Sequence, residues 1–187
     1  MSNEESTRAM SGNKRCNYYS NDLRKSQQFR QEYKKRTWLI TAEEMPWEES
    51  PQGRIKHVIH EDMNTMEPCL DVYQQLLPPS GCSGKHRHMA EEVLYVLEGR
   101  GYDLHWDVQF DCEDEYVWSW HEEAKRYEWE EGDYVYIPPY TMHQHFNADT
   151  ERPARFLSAT NRIVKAMGFD WLEQVENAPE YKPEEKR

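Results

Sequence analysis

Three histidines and one glutamate stand at the spacing of metal ligands. His86 and His88 are one residue apart, Glu92 follows in the same stretch, and His143 lies in a second stretch. In an extended strand the side chains at i and i+2 point to the same face, so His86 and His88 can both reach one ion. Three neutral imidazole nitrogens and one carboxylate oxygen suit Fe, Mn, Ni, Cu, Co or Zn, and geometry rather than ligand count selects among them. The pattern predicts a site for a divalent transition metal.

Glu92 and His143 need the rest of the fold to join the two strand histidines. Glu92 opens the apolar run Glu92–Glu98, where an uncompensated charge is unfavourable inside a barrel. His143 lies beyond the turn at residues 138–140, and only closure of the sheet can bring it near. The alternative interpretation is a set of surface histidines on solvated strands. The mutually consistent offsets favour the metal site.

The same two stretches carry glycine, proline and asparagine at fixed offsets. Residues 86–99 read HxHxxxExxxxxxG, and residues 132–147 read GxxxxxPxxxxHxxxN. Together they resemble the two signature motifs of the cupin superfamily, and the resemblance covers about residues 67 to 160. It implies an all-β fold with a single cupin β-barrel, also described as a double-stranded β-helix or jelly roll. It also implies that the metal ligands are His86, His88, Glu92 and His143.

Two positions depart from the cupin pattern. The glycine expected six positions before His86 is absent, and the glycine expected two positions after Pro138 is Tyr140. Both changes affect turns rather than ligands. The large side chain at position 140 is expected to alter the mouth of the pocket, which weakens any inference of the substrate from the family.

Composition divides the chain into three parts: a polar N-terminal extension at 1–36, the barrel domain at 37–161 and a helical C-terminal tail at 162–187. In the extension, Asn21 and Asp22 are predicted to begin a short surface helix that runs to Arg36. In the tail, a helical turn over residues 162–167 and a second helical piece from Asp170 through Val175 are predicted.

The positions of glycine and proline predict where the barrel strands end and how they connect. The segment Glu92 to Trp106, interrupted at residues 99–101, is expected to form a hairpin whose glycines permit the turn. Residues 134–137 and 141–147 are expected to form the next hairpin. Ala154 to Ala159 is a predicted closing strand. The acidic and aromatic segment 107–127, with Tyr116, Trp118 and Trp120 alternating along a strand, is expected to form a lid or rim.

Charge and hydropathy exclude two classes of partner. The 187 residues carry a formal net charge of -12, and phosphate binding needs clustered Lys and Arg, so no nucleic-acid partner is expected. No apolar run approaches the length that spans a bilayer, so no membrane partner is expected either. The first 20 residues are polar and contain no hydrophobic signal core, which predicts a cytoplasmic protein.

The sequence contains four cysteines. Cys16, Cys69, Cys82 and Cys112 form no CxxC pair, and their irregular spacing favours free thiols over a disulfide framework.

The resemblance implies a metal-dependent enzyme, because the same ligand set serves small dioxygenases of the superfamily. A non-haem iron dioxygenase acting on a small aromatic, enediol or diketone substrate is therefore the leading hypothesis, with Fe(II) the favoured metal. The fold also hosts other activities, so fold alone decides nothing. The alternatives are a non-redox isomerase, lyase or decarboxylase, and a non-catalytic small-molecule-binding protein.

Two residues are predicted to be catalytic. Glu92 is expected to act both as a ligand and as the base that removes a substrate proton. His145, two residues after His143, shares its inward face and is predicted as an acid/base or as a donor to the ligands, the alternative being a core histidine bonded to a backbone carbonyl. The remaining histidines are expected at the surface or rim, although His105 could border the cavity.

The apolar composition of the predicted strand 93–97 indicates the oligomeric state. Its residues are apolar on both faces, whereas a strand that faces solvent on one side alternates, so something beyond the barrel interior must cover it. A homodimer is predicted.

Overall fold

The computed structural model describes residues 14–111, 117–169 and 172–183. The chain forms two compact units, Met1–Arg36 and Thr37–Arg187. In the first unit, helix α1 spans Tyr18–Tyr33 and buries none of its residues. The helix begins earlier than the predicted start at Asn21, after the N-cap Asn17, whose side chain makes no capping hydrogen bond. No helix among the described residues is long and apolar enough to cross a membrane.

The second unit is built from thirteen strands in the part of the chain that the structure describes. They are β1 (Trp47–Ser50), β2 (Gly53–Ile59), β3 (Leu70–Leu77), β4 (Lys85–His88), β5 (Glu92–Glu98), β6 (Arg100–Trp106), β7 (Val108–Asp111), β8 (Val117–Trp120), β9 (Lys125–Glu130), β10 (Tyr134–Ile137), β11 (Met142–Asn147), β12 (Ala154–Asn161) and β13 (Leu172–Glu176). A helical turn, α2 (Ile163–Ala166), lies between the last two strands.

Two antiparallel sheets carry the core. Their strand orders among the described residues are β1-β2-β3-β12-β5-β10 and β13-β4-β11-β6-β9, and β7 and β8 form a separate pair. Trp129 of the second sheet packs in one buried cluster with Leu94 and Phe156 of the first. The prediction of an all-β fold with a short N-terminal helix is confirmed.

The predicted hairpin over residues 92–106 is wrong. Strand β5 pairs with β10 and β12, while β6 pairs with β9 and β11, so the two consecutive strands belong to different sheets. Gly99 makes the crossing with a φ of +89°, and a Cβ there would lie 2.8 Å from the backbone of Ala154. Alternation of side chains identifies each strand but does not say which sheet it joins.

The second predicted hairpin fails for the same reason. Strand β10 pairs with β5, whereas β11 pairs with β4 and β6. The connection at residues 138–141 again passes from one sheet to the other. Tyr140 within it has a φ of +64°, a conformation that glycine adopts without strain. The tyrosine at this position therefore adopts a backbone conformation that favours glycine, the residue expected from the motif.

The predicted C-terminal tail is helical only in part. The first predicted turn is present as α2, but residues 172–176 form strand β13 rather than a second helical piece, and Asp170 lies outside the described residues. Strand β13 pairs antiparallel with β4, with Gln174 opposite His86. The open edge of β4 supplies backbone hydrogen bonds that outweigh the local helical signal. The closing strand at 154–159 is confirmed as β12.

Candidate metal centre

The structure brings together the four residues that the sequence predicts as ligands. His86 and His88 lie on β4, Glu92 begins β5, and His143 on β11 stands directly opposite His86 in the antiparallel register. All four side chains are buried. One potential ligand atom from each lies within 4.8 Å of the others.

Backbone carbonyls orient two of the imidazole rings. His88 Nδ1 donates to the carbonyl of Ala90 at 2.7 Å, and His143 Nδ1 donates to the carbonyl of Thr141 at 2.9 Å. With Nδ1 as the donor, each Nε2 offers a lone pair when its ring is neutral. His88 Nε2 is hydrogen-bonded to Glu92 Oε2 at 2.9 Å, and His143 Nε2 lies 3.4 Å from the same oxygen. Two ring nitrogens and one carboxylate oxygen therefore converge, and a shared metal ion would replace the proton between His88 and Glu92.

Hydrogen bonds fix the other oxygen of Glu92. Its Oε1 accepts from the hydroxyl of Tyr73 at 3.2 Å and from the hydroxyl of Ser158. Only Oε2 is left to face the imidazoles of His88 and His143, so the carboxylate is set to offer one oxygen to an ion.

The protonation states suit metal binding. Burial raises the pKa of the Glu92 carboxyl, but the contacts with His143 and His88 outweigh burial and hold this pKa well below its usual range. Burial lowers the pKa of His86 well below the usual value and that of His143 to about 4. Burial also lowers the pKa of His88, but the hydrogen bond to Glu92 outweighs burial and raises it, so a metal ion must displace a proton there. The site therefore offers an ionised carboxylate and two neutral imidazoles near neutral pH.

Unpartnered nitrogens give an independent test of the fit. In the part of the chain that the structure describes, His86 Nδ1 and His143 Nε2 are among the buried atoms without a hydrogen-bond partner, as are both ring nitrogens of His145. Such atoms cost free energy unless something binds them. Three imidazoles and one carboxylate form a donor set for a divalent transition ion, and the residues present fit such an ion.

A cavity of about 370 Å³ opens onto three of the four clustered residues, His86, His88 and Glu92. Its volume lies in the range of small-molecule sites. Much of the remaining lining comes from β2, β3 and the end of β12. It includes Gln52, Ile55, His57, Asp71, Tyr73, Thr160 and Arg162. A small molecule in this cavity would contact the metal centre directly.

His145 is fully buried but does not line this cavity. Its ring centroid lies 5.4 Å from that of His143, and its Nδ1 lies 3.0 Å from Asp103 Oδ2. Burial lowers the pKa of His145, but the charge of Asp103 outweighs burial and raises it. The partner of this histidine is therefore a buried carboxylate rather than the predicted alternative, a backbone carbonyl.

Sequence reasoning missed the importance of Asp103 and misjudged His105. Both are buried on β6, with His105 Nε2 3.5 Å from Asp103 Oδ2, so the expectation of a surface or rim position for His105 is wrong. Trp129 Nε1 donates to Asp103 Oδ1 at 2.8 Å. Burial raises the pKa of Asp103, but the charge of His145 and these hydrogen bonds hold it below the usual value. The available signal was the alternation that puts residues 103 and 105 on one strand face.

The segment 107–127 does not close over the cavity in the part that the structure describes. None of its described residues lines the cavity. Trp118 packs against Tyr140 with 4.8 Å between ring centroids, and Trp120 Nε1 donates to the carbonyl of Tyr140 at 2.9 Å. The hairpin of β7 and β8 is therefore fastened to the turn before β11. Tyr116, predicted on the same face, lies outside the described residues.

Three of the four cysteines lie in the described part of the chain, and these three are free thiols. Cys16, Cys69 and Cys82 form no disulfide, as predicted. Cys112 lies outside the described residues.

Comparison with known proteins identifies the fold. No family model matches the chain, and no curated protein matches its sequence. Among solved structures, an oxalate decarboxylase of Lactobacillus farciminis in a formate complex has a TM-score of 0.57 at 16% identity, covering 75% of this chain and 36% of its own. An oxalate decarboxylase of Bacillus subtilis, described with Mn(II) centres, has a TM-score of 0.52 at 16% identity, covering 71% and 30%.

A cupin-like protein of Thermotoga maritima is also similar, with a TM-score of 0.47 at 17% identity, covering 66% of this chain and 76% of its own. At such low identities the likeness shows the fold alone, and this chain matches only about a third of the length of the two oxalate decarboxylases. The chain has the cupin fold, as the two motifs predicted, with a metal-type cluster of His86, His88, Glu92 and His143.

Proposed function

We propose that this protein is a metal-dependent enzyme that acts on a small molecule, and specifically a non-haem iron dioxygenase for an aromatic, enediol or diketone substrate. The observation that carries the proposal is the buried cluster of three histidines and one glutamate, which opens onto a cavity of about 370 Å³. Fe(II) is the proposed metal, with Mn, Ni, Zn, Cu or Co as alternatives.

A ferrous ion held by four protein ligands would supply Lewis acidity, one-electron chemistry and open coordination positions for a chelating substrate and dioxygen. The chain's own residues prepare the site for this. Ser158 and Tyr73 hold Glu92 Oε1, so that Oε2 stays directed at the imidazoles. The Gln52 amide, 2.9 Å from His86 Nε2, restrains the ring of His86.

The two predicted catalytic residues take distinct proposed roles. Glu92, which lines the cavity, is proposed as a ligand that also accepts a proton from the bound substrate. His145 has no cavity surface, so it is proposed as a positioning residue. It pairs with Asp103 and packs beside His143, which restrains the strand that carries His143.

The second candidate is a non-redox enzyme, of which a decarboxylase is the example best supported by a specific observation. The fold is similar to that of two oxalate decarboxylases, one of them described with Mn(II) centres. A non-catalytic small-molecule-binding protein is the third possibility, because the cupin fold does not itself imply catalysis.

The test combines metal reconstitution with two readouts of turnover. The protein is purified without oxygen, loaded with Fe(II) or Mn(II), and offered catechols, enediols, β-diketones and small α-keto or dicarboxylic acids. Oxygen uptake that depends on iron and on one of the first three classes supports the dioxygenase. Release of CO2 without oxygen uptake supports the decarboxylase, and binding without either readout supports the non-catalytic role.

We also propose a homodimer as the assembled form. In its support, Val93 on β5 and Tyr134 and Tyr136 on the neighbouring β10 are exposed apolar side chains on the outer face and edge of the first sheet. Light scattering coupled to size-exclusion chromatography distinguishes one chain from two. We also keep as a proposal the cytoplasmic location that the sequence predicts.

A further inference from the structure

The cavity has two ends, and the one away from the metal cluster carries its own polar groups. Thr160 on β12 pairs with Asp71 on β3 on one side and with Glu92 on β5 on the other. Asp71 and Glu92 are therefore two strand spacings apart, about 10 Å between their backbones. All three residues line the cavity. A single small molecule can thus bridge from the metal cluster to Asp71.

Two hydrogen-bond acceptors around this cavity have no donor among the described protein groups. They are Asp71 Oδ1 and His57 Nδ1, and both atoms are buried. His57 Nε2 donates to Glu48 Oε2 at 2.8 Å, so in the neutral ring Nδ1 is the acceptor. A buried acceptor without a donor is costly in free energy, and a ligand that supplies donors removes that cost.

The charge at this end is already balanced. Arg162 Nη1 lies 3.3 Å from Asp71 Oδ2, and both side chains line the cavity. A carboxylate on the ligand would be repelled by Asp71, and an ammonium would be repelled by Arg162. Asp71 Oδ1 is best matched by an uncharged hydroxyl group, whose single O–H donates one hydrogen bond.

We propose that the substrate binds the metal through one end and donates a hydrogen bond from a hydroxyl group at the other end to Asp71. This proposal rests on the proposed function and names the substrate class within it: a small hydroxylated molecule rather than a diacid. Asp71 is the residue that selects it. A site built to bond a hydroxyl rejects the analogue without it, and a bond to a charged acceptor corresponds to about a tenfold or larger difference in affinity.

Three catechols that differ only at position 4 test the selection. Catechol oxygens chelate the metal, and the substituent at position 4 projects to the far end of the ring. The probes are 4-(hydroxymethyl)catechol, 4-methylcatechol and 3,4-dihydroxybenzoate. Their dissociation constants are measured without oxygen by calorimetry on the metal-loaded protein, so the readout does not require turnover.

The wild type is expected to bind the hydroxymethyl compound at least tenfold more tightly than the methyl compound, and to bind the benzoate no better than the methyl compound. Asp71→Asn keeps the shape but replaces the charged acceptor, and the preference for the hydroxymethyl compound should fall below threefold. Asp62→Asn is the matched control, because Asp62 is exposed and does not line the cavity, and it should keep the full preference.

The outcomes separate this proposal from the proposed function. Equal binding of the methyl and hydroxymethyl compounds by the wild type would overturn the hydroxyl selection while leaving the metal enzyme standing, and this comparison needs no variant. Tightest binding of the benzoate would assign the far end to a carboxylate and also overturn it. A protein that holds no metal, or binds none of the catechols, would overturn the proposed function and the selection with it.

Discussion

Two buried clusters of imidazole and carboxylate lie close together among the described residues. Only the first of them lines the cavity of about 370 Å³, whereas His105 of the second lines a separate pocket. The front cluster joins His86, His88 and His143 to Glu92, and three of these four line the cavity. The rear cluster joins His105 and His145 to Asp103. The rings of His143 and His145 are 5.4 Å apart, so the two clusters are neighbours on β11.

The clusters differ in the hydrogen-bond partners of their histidine and carboxylate side chains. In the front cluster, carbonyls orient the Nδ1 atoms of His88 and His143, so that lone pairs and Glu92 Oε2 converge on one point. In the rear cluster, the carboxylate of Asp103 is paired with a histidine and bonded by Trp129. Similar side chains therefore have different roles: the front set has the geometry of a metal site, whereas the rear set forms a buried charge pair. Unpartnered atoms do not distinguish the two, because both ring nitrogens of His145 also lack a hydrogen-bond partner.

The largest expected effect is the loss of metal from the front cluster. Replacing His86→Ala and His88→Ala together removes two of four ligands, and metal content should fall from about one ion per chain to less than a tenth under identical reconstitution. Metal analysis with circular dichroism measures this. The control is His60→Ala, which lies outside both clusters and should retain full metal. Stoichiometric metal in the double variant would refute the assignment of the ligands.

Next in size is the destabilisation caused by breaking the rear cluster. Asp103→Asn leaves the buried His145 without its charged partner, and the free energy of unfolding should fall by about 3 kcal/mol, the scale for breaking a buried pair. Denaturant titration of the metal-free protein measures the change. Metal content after loading should stay within about twofold of the wild type. A variant that keeps its stability but loses its metal would show that the rear cluster belongs to the metal site.

A smaller effect is expected from the hydroxyl that holds Glu92 Oε1. Ser158→Ala removes one bond from the carboxylate, and the dissociation constant for the metal should rise about tenfold, as for other residues that orient a ligand. Competition with a metal chelator measures this constant. Ser119→Ala, on β8 and outside the cavity lining, is the control. An unchanged constant would mean that Ser158 does not orient the ligand.

The smallest expected effect is a pH dependence of the rear cluster. The pKa of Asp103 is held below its ordinary 3.8, so its contribution to stability is present above that value and is lost as the pH falls below it. The pKa of His145 is raised above its ordinary 6.5, so its contribution is present below 6.5 and is lost as the pH rises through the raised value.

The stability difference between wild type and Asp103→Asn should therefore be greatest between about pH 4 and 6.5 and shrink on both sides. Denaturant titrations of the metal-free proteins across this range measure it. The front-cluster histidines are common to both proteins and largely cancel in the difference. A difference independent of pH would contradict the pairing of Asp103 with His145.

Strand periodicity predicted much of the metal cluster, because His86 and His88 two positions apart on β4 must share a face. The motif offsets added Glu92 and His143, and the structure confirms that all four residues lie together. Metal binding itself stays a prediction. Asp103 was missed because a lone acidic residue in an apolar strand has no sequence signal of its partners. His145 and Trp129 come from other strands, and only the tertiary pairing brings them to it.

The strand pairings could not be predicted from local turns. Both predicted hairpins assumed that consecutive strands pair, whereas β5 and β6, like β10 and β11, cross from one sheet to the other. Strand β13 escaped prediction because its stability comes from pairing with β4, more than 80 residues earlier in the chain. Sequence patterns within a short window report periodicity, and they carry no information on such distant partners.

The most direct measurement is anomalous diffraction from crystals of the metal-loaded protein at the absorption edge of the added ion. We expect one strong peak within about 2.0 to 2.3 Å of an imidazole nitrogen of His86, His88 and His143 and of Glu92 Oε2. A peak at any other position, or no peak at this cluster in a protein that carries stoichiometric metal, would contradict the metal centre on which the proposed function depends.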